Sequence, residues 1–252
     1  MLLRLRQICL VSNRMEHVIG QLTSVFGIKV CHIDNAVHKY GLENRLMPIG
    51  NQLLEVVAPT RDGTAAGRYI KRRGGDGGYM VITQCDDVSK REDRVNELGI
   101  RVANRLEHDD YSGLQLHPQD TRGTFFEIDQ QLDSNDIDGP WHPAGPRWQQ
   151  FRSTDVIDAI RRVDIQSDDP KSLAQRWSEI AEIDLDVSDG DWVLPLENAE
   201  VGFVSATDGR PEGLSALHLS STDAQRAYDA AAKYDLLVDG VINICGTRFH
   251  LT

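Results

Sequence analysis

Two glutamates occupy matching places in two similar stretches of the sequence. Glu55 lies in NQLLEVV and Glu127 in GTFFEID, 72 residues apart, and the same offset relates FGIKV at 26–30 to LGIRV at 98–102. A carboxylate in an apolar strand can bind a hard divalent cation, or act as a general base when burial raises its pKa. Because an internal repeat determines the architecture, we expect equivalent elements around the two glutamates.

The first copy of the repeat has the order strand, helix and three strands. The apolar run RQICLVS predicts the first strand, and apolar residues at helical spacing from Met15 to Phe26 predict the helix. Gly27 stands where this helix would stop. Three apolar pieces then predict three strands, at 28–33, 45–49 and 52–58. The predicted unit is therefore βαβββ.

The second copy has the same order. It contains the strand YMVITQC, a helix from Val88 to Leu98 opened by Asp87 as its cap, and strands near 100–105, 113–117 and 123–129. Residues 132–155 are rich in Gly, Pro and Asp without periodicity, which predicts a linker or lid. Two further units follow, the fourth shorter than the third. We therefore predict an α+β fold of four units in two pairs, 1–131 (units 1–60 and 75–131) and 156–252.

One segment carries a resemblance to a known family. LHPQDTRGTFFEID at 116–129 resembles the HPKxTGGxxxEL segment of methylmalonyl-CoA epimerases and glyoxalases. The unit order, with FG or LG ending the helix and a glutamate near the end of the last strand, is similar to the vicinal oxygen chelate (glyoxalase-like) superfamily. The resemblance covers nearly the whole chain and is strongest over residues 5–131. It implies a cup formed by two paired units, which holds a divalent metal.

In this family one residue of the first strand and one glutamate of the last strand of each unit bind the metal. The resemblance therefore implies Gln7, Glu55 and Glu127 as ligands of a divalent ion (Mg, Mn, Ni or Zn). The fourth position falls on Tyr79 or Met80 instead of the usual histidine, and strand alternation predicts that only one of the two faces the cup. The metal would stabilise an enolate or enediolate, and the resemblance implies Glu127 as the catalytic base.

Further side chains are candidates for substrate contacts. Arg68 and Arg73 belong to the basic segment GTAAGRYIKRRGGDGG at 63–78, which could hold a carboxylate, phosphate or thiol-cofactor tail, or form a solvated helix that ends in glycines. Trp141, in the linker, could cover the pocket as an aromatic lid or fasten the two pairs together. Tyr79 and Met80 complete the predicted substrate-binding set.

Composition and charge exclude several classes of protein. The formal net charge of −12 argues against general binding to nucleic acid or an anionic membrane, because both require a basic surface. No apolar stretch approaches the roughly 18 to 20 residues of a membrane helix. The four cysteines are widely separated, which predicts reduced thiols and a cytoplasmic protein. The expected partner is a small-molecule ligand or substrate, and the repeated units favour a homodimer.

Three functions follow from the resemblance. The first is a divalent-metal-assisted lyase or isomerase that acts on a small α-oxo or thioester-linked acid. The second is a metal-free small-ligand binding protein of the bleomycin-resistance type, which the missing histidine favours. The third is a diverged extradiol dioxygenase with iron in the second pair. The positions that would bind this iron are Arg161 or Arg162, Ala216 or His218, and His250. These residues do not predict a working iron site.

Overall fold

Residues 2–252 are described by a computed structural model and form two mixed β-sheets, of seven and eight strands. Each sheet combines two units whose first strands pair antiparallel. In every unit the last strand pairs parallel with the first. The predicted α+β fold of tandem units in two pairs is therefore confirmed.

The first two units form the seven-stranded sheet. Their elements are β1 (Leu3–Val11), α1 (Met15–Phe26), β2 (Leu42–Ile49), β3 (Gln52–Pro59), α2 (Ala65–Arg73), β4 (Gly77–Cys85), α3 (Val88–Glu97), β5 (Val102–Glu107), β6 (Tyr111–Leu116), α4 (Pro118–Thr121) and β7 (Phe125–Gln131). The strands lie in the order β2-β3-β1-β4-β7-β6-β5. The first strands of the two units, β1 and β4, are therefore neighbours near the middle of the sheet.

The third and fourth units form the eight-stranded sheet. Their elements are β8 (Ile157–Ser167), α5 (Pro170–Ala181), β9 (Asp186–Ser188), β10 (Asp191–Pro195), β11 (Glu200–Ser205), β12 (Gly213–Ser221), α6 (Ala224–Lys233), β13 (Leu237–Val238), β14 (Val241–Ile244) and β15 (Thr247–Leu251). The strand order is β13-β14-β15-β12-β8-β11-β10-β9. Among residues 2–252, no helix has both the length and the apolar character that a membrane crossing requires.

Helix boundaries follow the predicted signals. The α1 helix ends at Gly27, whose φ of 69° is left-handed and whose N–H donates to Thr23 O. The α3 helix begins after Asp87, whose Oδ1 accepts from Lys90 N at 3.2 Å. Local residue types therefore determine where these helices begin and end.

The predicted strand at 28–33 is wrong. A single antiparallel bridge joins His32 to Leu46 of β2. Asp34 then caps a short 3-10 helix, Asn35–Tyr40, by accepting from Ala36 N at 2.8 Å. The 3-10 helix ends strand pairing with β2 after one residue pair, so the first unit has two full strands after its helix where each other unit has three.

The pairing of β1 with β4 contains two irregularities that change which face each side chain occupies. Arg6 is an extra residue on β1, and Tyr79 is an extra residue on β4. A β-bulge of this kind interrupts the alternation of side chains along a strand. Residues beside each bulge can therefore share a face of the sheet, which matters at the site.

One hydrophobic core includes residues from both sheets and from helices α1, α3, α5 and α6. Phe126 of β7 stacks on Trp177 of α5 with ring centroids 4.3 Å apart. Phe26 of α1 approaches Phe249 of β15 at 5.1 Å. Because these contacts join the first pair to the second, burial of apolar surface stabilises both pairs together.

Residues 132–155 pack against the first pair. Trp141 and Trp148 are buried in a cluster with strands of that pair. The guanidinium of Arg6, itself fully buried, lies 5.1 Å and 5.2 Å from the two indole rings. These contacts fix the linker onto the first pair. Trp141 therefore does not fasten the two pairs together, which was one of its two predicted roles.

Candidate functional site

A cavity of about 500 Å³ lies on the face of the first sheet that points away from the shared core. Its polar floor consists of Gln7, Asn44, Glu55, Gln115 and Glu127. Aromatic side chains line its walls: Tyr40, Tyr69, Tyr79, Tyr111 and Phe125. The three predicted metal-ligand positions are therefore brought together on one floor.

Both carboxylate oxygens of Glu55 accept hydrogen bonds from side-chain amides. Asn44 Nδ2 donates to Oε1 at 2.7 Å, and Gln7 Nε2 donates to Oε2 at 3.0 Å. Burial raises the pKa of Glu55, and the bonds from Asn44 and Gln7 oppose that rise. Trp141 Nε1 donates to Gln7 Oε1 at 3.1 Å, so the linker orients the Gln7 amide from behind.

Glu127 lies between an amide and a second carboxyl group. Gln115 Nε2, on the neighbouring strand β6, donates to Glu127 Oε2 at 2.8 Å. Asp129, two residues along β7, lies on the same face of the sheet. Burial raises the pKa of Glu127 to about 7, the Gln115 bond opposes the rise, and the charge of Glu55 adds to it. Glu127 can therefore take up a proton near neutral pH.

Asp129 is fully buried beside Glu127. The Tyr111 hydroxyl donates to Asp129 Oδ2, while Oδ1 has no donor among the side chains and backbone of residues 2–252. Burial, and then the charge of Glu127, raise the pKa of Asp129 well above its usual range. Two adjacent buried carboxyl groups do not both ionise readily, because the charge of one raises the pKa of the other.

Tyr79 and Met80 both line the cavity, so the prediction that only one of them faces the cup is wrong. The bulge at Tyr79 puts the two successive side chains on one face. On β1, Gln7 lies two residues before Cys9, which pairs with Glu55 of β3. On β4, Met80 lies two residues before Ile82, which pairs with Glu127 of β7. Met80 is therefore the equivalent of Gln7, and a thioether occupies the fourth ligand position.

The donor groups do not fit the octahedral divalent ion that the resemblance implies. The thioether of Met80 is a poor ligand for hard ions. The Gln7 oxygen accepts from Trp141, and both Glu55 oxygens accept from amides. Within residues 2–252, no three or more His, Cys, Asp or Glu side chains are grouped as a metal site. The floor is therefore a network of amides and carboxyl groups.

Three cations stand at the mouth of the cavity without an acidic partner. Arg68 and Arg72, one turn apart on α2, and Lys39 line the opening. None of them belongs to an ion pair of the described chain. Arg72 lies over the Tyr69 ring at 5.2 Å, and Lys39 lies over the Tyr40 ring at 4.9 Å. In a chain of net charge −12, these three cations form a local cluster of positive charge at a cavity that Asp34 also lines.

Arg73 and Trp141, two of the predicted substrate contacts, do not line the cavity. Arg73 is 2% exposed and donates from Nη2 to Leu214 O of the second pair at 3.3 Å. Trp141 is 1% exposed and lies behind Gln7. Trp141 therefore orients a residue of the cavity floor from behind, whereas Arg73 bonds the second pair.

The second pair contains a separate polar cluster. The rings of His218 and His250 stack with centroids 4.6 Å apart. His218 Nε2 lies 2.8 Å from Asp164 Oδ2, and Arg162 Nε donates to Asp164 Oδ1 at 2.6 Å. Burial lowers the pKa of His250. Ion pairs therefore stand where the dioxygenase alternative requires an iron site.

Several residues of the site were not predicted. Asn44, Gln115 and Asp129 are polar residues in apolar strands, and this pattern is the signal that could have identified them. His108 lines the cavity and stacks on His142 of the linker, with ring centroids 4.1 Å apart. No local signal joins these two histidines, because the contact depends on how the linker folds back.

Comparisons with known proteins agree with this architecture. No family model matches the sequence, and no curated protein matches it. A hypothetical protein from Staphylococcus aureus has a similar structure, with a TM-score of 0.69, 13% identity, and coverage of 100% of this chain and 99% of that chain.

Two shorter structures cover about half of the chain. One is a methylmalonyl-CoA epimerase variant from Streptomyces coelicolor in complex with 2-nitronate-propionyl-CoA, with a TM-score of 0.47, 19% identity, and coverage of 52% of this chain and 99% of that chain. The other is methylmalonyl-CoA epimerase from Mycobacterium tuberculosis, with a TM-score of 0.45, 16% identity, and coverage of 50% and 87%.

The fold agrees with the resemblance that the sequence carries. The paired units, the parallel pairing of first and last strands, and the cup with a glutamate from each last strand are those that the resemblance implies. The chain therefore has the vicinal oxygen chelate fold, and the predicted resemblance is confirmed for the fold.

Proposed function

We propose that the cavity of the first pair binds a small α-oxo or thioester-linked acid, and that Glu127 removes the proton next to its carbonyl group. The chain is then an isomerase or lyase. The observation that carries the proposal is the position of Glu127, buried on the cavity floor between Gln115 and Asp129 with a pKa of about 7. A general base is most effective when its pKa is near the working pH.

In the proposed step the C–H bond breaks and its electron pair forms an enolate, while the proton moves to the Glu127 carboxylate. Return of the proton from Glu127 to the neighbouring carbon gives the isomer. Gln7 Nε2 gives one of its two hydrogens to Glu55 and has a second for the enolate oxygen. Because the donor set does not fit a divalent ion, we assign no step to a metal.

The mouth of the cavity suits a substrate with an anionic end. Arg68, Arg72 and Lys39 offer charges that no acidic side chain of residues 2–252 neutralises. Between this mouth and the floor, Tyr79 and Met80 supply apolar contact. The proposed ligand is therefore a molecule with an acidic tail, an apolar middle and a carbonyl head.

Ligand binding without turnover is the second candidate function. It is favoured by the thioether of Met80 at the fourth ligand position, and by the hydrogen bonds that already satisfy the Glu55 oxygens. A protein of this kind would sequester a ligand in the cup, as bleomycin-resistance proteins do. The two candidates differ in whether Glu127 exchanges a proton with carbon.

Proton exchange in D₂O tests the proposal. Wild type, Glu127→Gln and Glu55→Gln are incubated with methylmalonyl-CoA, and separately with the hemithioacetal of methylglyoxal and glutathione, and loss of the α-proton signal is followed by NMR. We expect exchange by wild type that increases as the pH rises through about 7, because the base must be ionised. Glu127→Gln should lower the rate at least about 100-fold, and Glu55→Gln should lower it less.

The same experiment separates the candidates. Exchange that survives treatment with a chelator supports the metal-free step, and exchange that the chelator abolishes contradicts it. Saturable binding without exchange supports the binding protein. If neither compound binds, the proposed substrate class is wrong.

The predicted cytoplasmic location and homodimer are proposals of the same kind. The four cysteines are free thiols, which suits a reducing compartment. Light scattering of the purified full chain measures the oligomeric state, and cell fractionation measures the location.

A further inference from the structure

Helix α2 carries two of the three mouth cations and does not belong to the repeated pattern of the units. Thr64 Oγ1 accepts from Gly67 N at 3.0 Å at its start. Gly74, with a φ of 79°, ends the helix. Its buried residues Ala66, Tyr69 and Ile70 pack on the first pair, and its C-terminal end makes a further set of contacts.

Those contacts come from Arg210, in the loop between β11 and β12 of the second pair. Its guanidinium donates to four main-chain carbonyl oxygens, those of Arg73 (3.2 Å), Gly75 (3.5 Å), Asp76 (2.6 Å) and Gly246 (2.7 Å). Three of the four acceptors belong to the end of α2 and to the segment that leads into β4. A cation at a helix C-terminus also interacts favourably with the helix dipole.

The two pairs approach closely at the same place. A Cβ at Gly246 would lie 2.2 Å from Asp76 O, and a Cβ at Gly78 would lie 2.4 Å from the Leu214 side chain. Arg73, at the end of α2, also donates to Leu214 O. The end of α2 and the segment that leads into β4 therefore contact the second pair directly.

We propose that Arg210 is a positioning residue for ligand binding. By holding the C-terminal end of α2, the second pair determines where Arg68 and Arg72 stand at the cavity of the first pair. The inference rests on the proposed function, in which these two arginines bind the anionic end of a ligand. It also gives the second pair, in which Asp164 pairs with Arg162 and His218, a part in binding at the first.

Two fluorescent probes of nearly equal shape test the inference in the full chain. 1-Anilinonaphthalene-8-sulfonate carries one negative charge, and N-phenyl-1-naphthylamine is its uncharged parent. Their dissociation constants are measured for wild type, Arg68→Ala/Arg72→Ala, Arg210→Ala and Arg210→Lys. Arg176→Ala is the matched control, because Arg176 also joins the pairs by donating from Nε to a carbonyl oxygen, that of Asp120 at 3.0 Å, but away from α2.

We expect Arg210→Ala to weaken binding of the sulfonate roughly threefold to tenfold, as loss of one or two exposed charge contacts would, with the neutral probe unchanged. Arg210→Lys should recover part of the loss, because it restores the charge without the four-carbonyl geometry. Hydrogen exchange should become faster at residues 65–76 in Arg210→Ala only. Arg176→Ala should change none of these quantities.

The outcomes separate the inference from the function on which it rests. If Arg68→Ala/Arg72→Ala weakens sulfonate binding while Arg210→Ala leaves both binding and exchange unchanged, the positioning role is wrong. If the double variant has no effect on sulfonate binding, the anion-binding mouth of the proposed function is wrong. The exchange rates at 65–76 then still decide whether Arg210 holds α2. Equal weakening of both probes by Arg210→Ala would mean general damage and overturn the inference.

Discussion

At the scale of single residues, the site depends on keeping acidic groups out of water. Glu55 and Glu127 are nearly inaccessible to solvent, and amide donors rather than cations stabilise them. Hydrogen bonds from neutral amides offset part of the cost of burying a carboxylate but leave its pKa raised. Glu127 therefore contributes a usable base at the expense of stability.

That cost should be measurable as a pH dependence of unfolding. With a pKa of about 7 in the native state and an ordinary value of 4.5, Glu127 keeps a proton that the unfolded chain loses between these pH values. The native state therefore loses stability as the pH rises through this window. Gln at this position does not titrate, so the Tm of Glu127→Gln should exceed that of wild type by more at pH 8 than at pH 5.

Thermal unfolding of both proteins at the two pH values measures this difference. Glu107→Gln, on the exposed edge strand β5, is the control and should leave the difference near zero. A Tm gap for Glu127→Gln that is equal at pH 5 and pH 8 would contradict the raised pKa.

A second residue-scale prediction concerns the fourth ligand position. Met80→His adds an imidazole beside Gln7, Glu55 and Glu127, and should strengthen binding of Ni²⁺ at least about tenfold relative to wild type, because imidazole is a good nickel ligand. Tyr79→His is the matched control. It changes the bulged neighbour, which is not the equivalent of Gln7. Calorimetric titration measures both, and tight stoichiometric uptake by wild type would show that the floor does fit a metal.

The repeat was sufficient to predict part of this site. It identified Gln7, Glu55 and Glu127 because first and last strands are marked by apolar runs at a constant offset. It did not identify Gln115 or Asp129. Their roles depend on β6 lying beside β7 and on burial of both faces of the sheet, and neither property is encoded in local periodicity.

At the scale of elements, the sheet accommodates the acidic pair by leaving space opposite it. Gly113 of β6 is the cross-strand partner of Asp129, and a Cβ there would lie 2.1 Å from Asp129 Oδ1. The Asp129 carboxyl is fully buried and bonded by Tyr111, so it cannot swing into solvent. The absence of a side chain at 113 is therefore a condition for the Asp129–Glu127 pair.

Gly113→Ala should destabilise the protein by about 1 to 3 kcal/mol, the usual cost of overpacking a buried site, which corresponds to roughly 2 to 4 °C in Tm per kcal/mol. Ser112→Ala, on the adjacent residue of β6, is the control and should change Tm little. Thermal unfolding followed by circular dichroism checks both. Equal Tm values for Gly113→Ala and wild type would mean that Asp129 can move without cost.

Elements defined by local signals were predicted better than those defined by pairing. The α1 and α3 helices end or begin at Gly27 and Asp87, because these residues act on neighbouring backbone. The predicted strand at 28–33 was wrong, because the 3-10 helix capped by Asp34 ends pairing with β2 after one bridge. The bulge at Tyr79 could not be predicted either, because it exists only in the register between β1 and β4.

At the scale of the whole molecule, the two pairs are not independent domains joined by a linker, because they share one hydrophobic core. The sequence predicts the pairs and the segment between them, but periodicity does not say what the outer face of each helix contacts. In the structure the apolar faces of helices from both pairs enter one core, with Trp177 stacked on Phe126 and bonded to Thr121 O at 2.9 Å. The pairs should therefore unfold together.

Trp177→Ala tests this directly, because Trp177 belongs to the second pair and its main partners, Phe126 and Thr121, belong to the first. Loss of a fully buried tryptophan typically costs about 3 to 5 kcal/mol, and we expect a lower Tm with one transition for the whole chain. Trp192→Ala is the control, since Trp192 is only partly buried on β10 and is partnered by Lys171. It should cost less. Two calorimetric transitions, of which Trp177→Ala lowers only one, would mean that residues 1–131 and 156–252 are independent domains. Arg210 would then join two domains that unfold separately.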